Sequence, residues 1–146
     1  MGQSTNGILA YGYDLGEGDE LGDCDWLAED EDDLGGALER RLLAELGGFT
    51  ETWETHPDGF FERERAAKAR LGVEIYTHCS DGCPMLLLAT HVVTASRGFP
   101  ETLDLAAYAS MPGSLRWNQR LQEALAALQI TPPQGEPGWL LCSYWG

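Results

Sequence analysis

Val73-Glu-Ile-Tyr-Thr-His78, followed by Cys79-Ser-Asp-Gly82 and then Cys83-Pro-Met-Leu-Leu-Leu-Ala-Thr-His-Val-Val-Thr-Ala95, is the stretch that decides the fold. Residues 73–78 alternate apolar and polar, as a half-buried strand does. Cys79-Ser-Asp-Gly82 is turn chemistry, and Met85–Ala95 is apolar enough for a central strand. The stretch therefore predicts a β-hairpin in the middle of the chain, and what flanks it must supply the rest of a sheet and its cover.

On the N-terminal side, Leu34, Leu38, Leu42 and Leu46, with Ala37 and Leu43, recur at helical spacing over 34–46. Asp32 or Asp33 can cap that helix and Gly47-Gly48 can stop it. A second helix follows Pro57-Asp58 and runs to Arg70, closed by Gly72. Its Glu64–Lys68 pair at i,i+4 contributes only about 0.2–0.5 kcal/mol. On the C-terminal side, Glu101–Ala109 reads as a short helix. Ser114 is expected to cap a stronger one, with Trp117, Leu121, Leu125 and Leu128 on one face. A Pro- and Gly-rich linker, Thr131–Gly138, leads to a last strand, Trp139–Trp145. At the front, Gly7–Tyr13 reads as a strand whose two glycines either weaken it or let another backbone approach closely.

The order β, helices, β-β, helix, β predicts an α+β single domain over residues 1–146. Its antiparallel sheet would have about four strands with helices on one face, compatible with a ferredoxin-like βαββαβ arrangement. With 146 residues and 43% hydrophobic content, such a domain can build a real core. The front end lacks the basic and apolar regions of a signal peptide. The longest apolar stretch, 85–95, is about half the roughly 20 residues of a membrane helix. The expectation is a soluble, cytoplasmic protein without membrane contact, whose four cysteines are reduced thiols.

Charge is distributed unevenly. Residues 1–39 hold twelve acids and no Lys or Arg, whereas the remaining residues hold twelve acids against nine bases, so -12 of the net -15 lies at the front. Such a segment repels nucleic acid and anionic membranes and attracts basic protein surfaces. Residues 14–33 read as an acidic loop anchored only by Leu15, Leu21, Trp26 and Leu27. The carboxylates proposed to meet a partner are Asp19, Glu20, Asp23, Asp25, Glu29, Asp30, Glu31, Asp32 and Asp33. The plainer alternative is a solvated loop whose last acids favour a helix N-terminus. EF-type calcium spacing fails whether counted from Asp19 or from Asp23. The cluster Arg63, Arg65, Lys68, Arg70 is read as solvating a helix or pairing with the acidic loop.

A second candidate is the group His78, Cys79, Cys83 and His91 around the hairpin turn. The Cys79-x3-Cys83 spacing suits zinc, with Cys24 or His56 as a further ligand, but adjacent His78 and Cys79 should point to opposite strand faces. No nucleophile elbow, P-loop or dinucleotide fingerprint occurs. No catalytic residue and no cofactor is therefore assigned. Trp139, Tyr144 and Trp145 read as core or sheet packing, and as an interface where exposed.

Three segments carry a resemblance: Asn6-Gly-Ile-Leu-Ala-Tyr-Gly-Tyr-Asp-Leu-Gly16, Cys83-Pro-Met85 and Gly138-Trp-Leu-Leu-Cys-Ser-Tyr-Trp-Gly146. Together they resemble a group of small acidic proteins of actinobacteria and their bacteriophages, a likeness that transfers no active site. It implies a phage or mobile-element accessory protein working in the host cytoplasm. The leading expectation is a non-enzymatic protein that binds a basic host protein surface and makes no direct nucleic-acid contact. Inhibition of a nucleic-acid-handling or defence factor fits that charge. A metal- or thiol-dependent small enzyme built on the hairpin cluster, and a self-associating structural protein, are the alternatives.

Overall fold

Eight elements follow one another as β1 (Thr5–Gly16), α1 (Leu34–Gly47), α2 (Phe60–Leu71), β2 (Glu74–Ser80), β3 (Pro84–Ser96), α3 (Leu105–Ser114), α4 (Trp117–Leu128) and β4 (Gly138–Trp145). They belong to a computed structural model that describes residues 5–18, 21 and 24–146. The fold is α+β. β1 lies between β3 and β4, and β3 pairs with β2, each pair antiparallel. The resulting order β4-β1-β3-β2 is the one a ferredoxin-like βαββαβ chain takes, with the first and last strands side by side.

The sheet departs from the expectation in being mixed and closed. At their tips, Cys79 and Ser80 of β2 pair in parallel with Tyr144 and Trp145 of β4, and the sheet becomes a barrel. Three antiparallel pairings in a flat sheet would leave β2 and β4 antiparallel. A parallel contact demands strong coiling, in the sense that neighbouring strands already rotate by roughly 20–25°. Cys79, at this junction, adopts a left-handed φ of 75°.

Two cores explain the closure. Toward the helices, Tyr11, Tyr13 and Leu15 of β1 and Leu86 and Leu88 of β3 meet Leu38 and Leu42 of α1 and the Trp117, Leu121, Leu125, Leu128 face of α4. On the opposite face, Ile8, Ala10, Leu87 and Ala89 are at most 1% exposed, packed with Tyr76, Val92, Leu140, Cys142 and Tyr144. An open sheet would leave this second set in water. Burying a side chain the size of Ile8 or Leu87 is worth about 1.5–3 kcal/mol, so coiling the sheet around them is strongly favoured.

A bulge sets which residues face the helices. Tyr11 pairs with His91 and Gly12 with Ala89, so Thr90 is the extra residue. Before it, Leu86 and Leu88 point to the helices; after it, His91 does, stacking on Trp117 at 5.4 Å. Gly12 makes the crossing possible, since a Cβ there would lie 1.9 Å from the Leu88 carbonyl oxygen.

The helices also shift from expectation near Ser114. Asp104 accepts from Ala107 N at 3.0 Å and starts α3, which then runs through Ser114. Ser114 therefore ends α3, and α4 begins after Arg116, whose φ is 56°. Asp104 is the better cap because its carboxylate reaches an unpaired first-turn amide.

Candidate functional site

The acidic segment is folded against the domain in its described residues, 14–18, 21 and 24–33. Its backbone makes successive turns, with Leu21 N donating to Gly18 O at 3.1 Å, Leu27 N to Cys24 O at 2.9 Å and Glu31 N to Ala28 O at 3.2 Å. Leu15 and Leu21 are buried in the main core. Trp26 Nε1 donates to Leu128 O at 2.7 Å, and the Arg41 guanidinium lies 5.4 Å from the Trp26 ring. Arg41 Nε in turn donates to Ala127 O at 3.0 Å, so the segment is tied to the C-terminal end of α4. Leu15, Leu21 and Trp26, named from sequence, are its anchors, whereas the fourth expected one, Leu27, lines the open clefts beside it.

Between this segment and the β2–β3 hairpin lies an open cleft of about 900 Å³. Six carboxylates line it, Glu17, Asp25, Glu29, Glu31, Asp32 and Asp33, and none of the described lining residues is cationic. Glu31 is drawn to Arg40 at 3.2 Å, and Asp33 caps α1 by accepting from Gly36 N at 2.9 Å. Asp30 is exposed beside them. Asp19, Glu20 and Asp23, also expected at the partner surface, lie outside the described residues.

The thiol and imidazole group does not assemble. His91 sits on the helix-facing side of the sheet, among Trp117, Tyr108 and Trp139. His78 follows Tyr76 on the inner face, with Nε2 buried, without a hydrogen-bond partner among the described residues, and 3.8 Å from Asp14 Oδ1. Opposite faces separate the two imidazoles, because strand side chains alternate. Among the described residues no three His, Cys, Asp or Glu side chains come together as metal ligands. His56 is held elsewhere, its Nδ1 2.9 Å from Thr55 Oγ1.

Cys79 and Cys83 carry free thiols. Cys83 Sγ donates to Glu17 Oε1 at 3.1 Å, and that hydrogen bond and the carboxylate's charge push the thiol up to about 11. A thiol held protonated in this way is a poor nucleophile, since the thiolate is the reactive species.

One site escaped the sequence reading. Leu43, Phe49, Trp53 and Phe60 wall a groove of about 570 Å³ between α1, the 49–59 loop and α2. Trp53 and Phe61 are 51% and 61% exposed and stack at 5.2 Å with their planes 27° apart. The loop presenting Trp53 is organised by Arg63. Its Nε donates to Glu51 Oε2 at 2.7 Å, Nη1 to Asp58 O at 2.6 Å and Nη2 to His56 O at 3.2 Å. The signal was the aromatic set at 49, 53, 60 and 61, but these residues span a loop and a helix start and so share no single period.

The basic cluster pairs locally. Arg63 meets Glu51, and Lys68 meets Glu39 at 2.7 Å and Glu64 at 2.6 Å; neither pairs with a described residue of the acidic segment. At the C-terminus, Trp139 is half-buried against the main core, whereas Leu141 and Trp145 on the same strand are 83% and 54% exposed.

The chain matches no protein-family model, no curated protein and no solved structure. No helix of the described residues is long and apolar enough to cross a membrane.

Proposed function

We propose that this chain is a small non-enzymatic binding protein that docks a basic protein surface on its acidic face. The observation that supports this best is the cleft, in which six carboxylates stand together with no cation in the described lining. Keeping like charges side by side works against folding, and a protein that needed only solubility could disperse them. Anchoring by Leu21 and Trp26 holds them in a fixed arrangement, which lowers the ordering cost when a partner arrives.

Such a field speeds encounter with a basic surface and is weakened by salt. It disfavours nucleic acid as the direct ligand. The likeness of both chain ends to small acidic actinobacterial and phage proteins is consistent with a host protein as partner. Inhibition of a nucleic-acid-handling or defence factor fits the same charge.

The test is capture from host lysate by the full chain at low and high salt. It is compared with a variant carrying Asp25→Asn, Glu29→Gln and Asp32→Asn. Those changes spare Asp33, which caps α1, and Glu31, which pairs with Arg40. The expected result is one partner, released by salt and lost in the variant. Equal capture by the two proteins would refute docking through this face.

A further inference from the structure

We infer that the groove walled by Phe49, Trp53 and Phe60 is an anchor site for a basic protein segment carrying a protruding apolar side chain. This deepens, and rests on, the docking function proposed above. The groove adjoins the acidic cleft directly, because Asp33 lines both.

Three features define the occupant. First, the walls are apolar, and Leu43 and Phe60 at the base are buried, so the groove accepts an aliphatic or aromatic side chain rather than a charged one. Second, its rim is acidic. Asp33, Glu39, Glu51, Glu54 and Glu64 stand against Arg40, the one cation among the described lining residues. Ion pairing reduces that field without cancelling it. Lys68 serves both Glu39 and Glu64, Arg63 serves Glu51, and neither Asp33 nor Glu54 makes an ion pair among the described residues. Third, the exposed Trp53–Phe61 stack offers an aromatic face beside Glu54, a suitable seat for an Arg or Lys side chain.

The site is also pre-shaped. Besides the three Arg63 contacts, Thr52 Oγ1 and Thr55 Oγ1 lie 2.9 Å apart, and His56 N donates to Thr52 O at 3.0 Å. Trp53 is thus displayed from an ordered loop, and a bulky ring on a rigid support is the usual form of a binding hot spot. Charge selects against acidic and neutral segments, and the groove selects among basic ones for those with an apolar anchor. Charge gives encounter, and the anchor gives residence.

The experiment uses the full chain and two labelled peptides of equal length and equal positive charge. One is an amphipathic Lys–Leu helix, and the other replaces every Leu with Ser. Anisotropy titrations are run on wild type, Trp53→Ala and Phe61→Ser, both changes being at exposed positions and checked for folding by circular dichroism. Wild type should bind the Lys–Leu peptide about tenfold or more tightly than the Lys–Ser peptide. Trp53→Ala should erase that preference while the Lys–Ser peptide still binds in a salt-sensitive way, weakened only by loss of the aromatic seat for Lys, and Phe61→Ser should reduce the preference.

Absence of preference in wild type, or its survival in Trp53→Ala, overturns the groove assignment while Lys–Ser binding keeps the acidic-face reading intact. Failure of both peptides to bind overturns both. Sedimentation of the free chain supplies the last outcome: a dimer that Trp53→Ala dissolves would make a second copy the occupant and overturn the basic-segment proposal.

Discussion

Replacing Gly12 with alanine should destabilise this protein more than any other single added methyl group on β1. The residue lies where β1 crosses the bulge of β3. A Cβ there would stand 1.9 Å from Leu88 O and 2.9 Å from both Ala89 Cα and Leu88 C. All three atoms are backbone, so no side chain can swing away, and the strands must separate by on the order of 1 Å or lose pairing beside the bulge. Overpacking of this kind costs about 1–3 kcal/mol, and the backbone clash places Gly12→Ala at the top of that range. For a domain of this size, about 3 kcal/mol corresponds to a fall in Tm of roughly 6–12 °C. Urea and thermal unfolding would measure it, with near-UV circular dichroism reporting the His91, Trp117 and Trp139 cluster beyond the bulge. Gly7→Ala is the control, because the nearest atom to its Cβ is Ala95 O at 3.9 Å on the same pair of strands. If the two variants unfolded within about 0.5 kcal/mol of each other, the close crossing at Gly12, and the bulge register with it, would be wrong.

Two further predictions concern titrating groups. Glu17→Gln should bring the Cys83 thiol down from about 11, because the carboxylate's hydrogen bond and charge are what raise it. Alkylation of Cys83 near pH 8, followed by peptide mass mapping, should therefore accelerate; an unchanged rate would remove Glu17 as the cause. The Glu74 carboxyl is raised above the usual carboxylate range by partial burial and then by the neighbouring Glu39 charge, with His91 acting in the opposite sense. An acid whose folded pKa is raised favours the folded state only while protonated, so that contribution is lost as pH climbs from the unfolded value through the folded one. Glu74→Gln should consequently raise Tm near neutral pH, with the gain vanishing below about pH 4; a gain equal at both pH values would refute the charge argument. The effect should be small, since Glu74 is only partly buried and solvent screens the rest.

Much of the architecture was legible because its signals are local. The Leu34–Leu46 stripe became α1, capped by Asp33 and ended by Gly48. The Trp117, Leu121, Leu125, Leu128 face became the buried face of α4. Strand order followed from the sequence of elements. Closure of the sheet was not legible, because it depends on which alternating set, Ile8 and Leu87 or Tyr13 and Leu88, lacks a helix to cover it. Ser114 misled for a related reason: a hydroxyl before an apolar stripe looks like a cap, but Asp104 had already started a helix that consumed it. Even the Gly7 and Gly12 ambiguity was real, since the sequence offers both readings and only the crossing partner separates them.

The candidate sites divide along the same line. Proximity in sequence made His78 and His91 look like partners, yet one bulge and strand alternation set them on opposite faces. The acidic segment reads from sequence as a loop with only four apolar anchors. Two neighbouring carboxylates about 6 Å apart in water repel by only about 0.7 kcal/mol, whereas a buried Leu contributes about 1.5–3 kcal/mol. Leu15, Leu21 and the Trp26–Leu128 hydrogen bond can therefore outweigh the repulsion with no cation among the described lining residues of the cleft. Fold and field are then governed by different forces, and salt separates them: raising it should release a bound partner while leaving the anchored segment in place. The acids are consequently free to serve encounter, and the aromatic groove that shares Asp33 with them is where selectivity can reside.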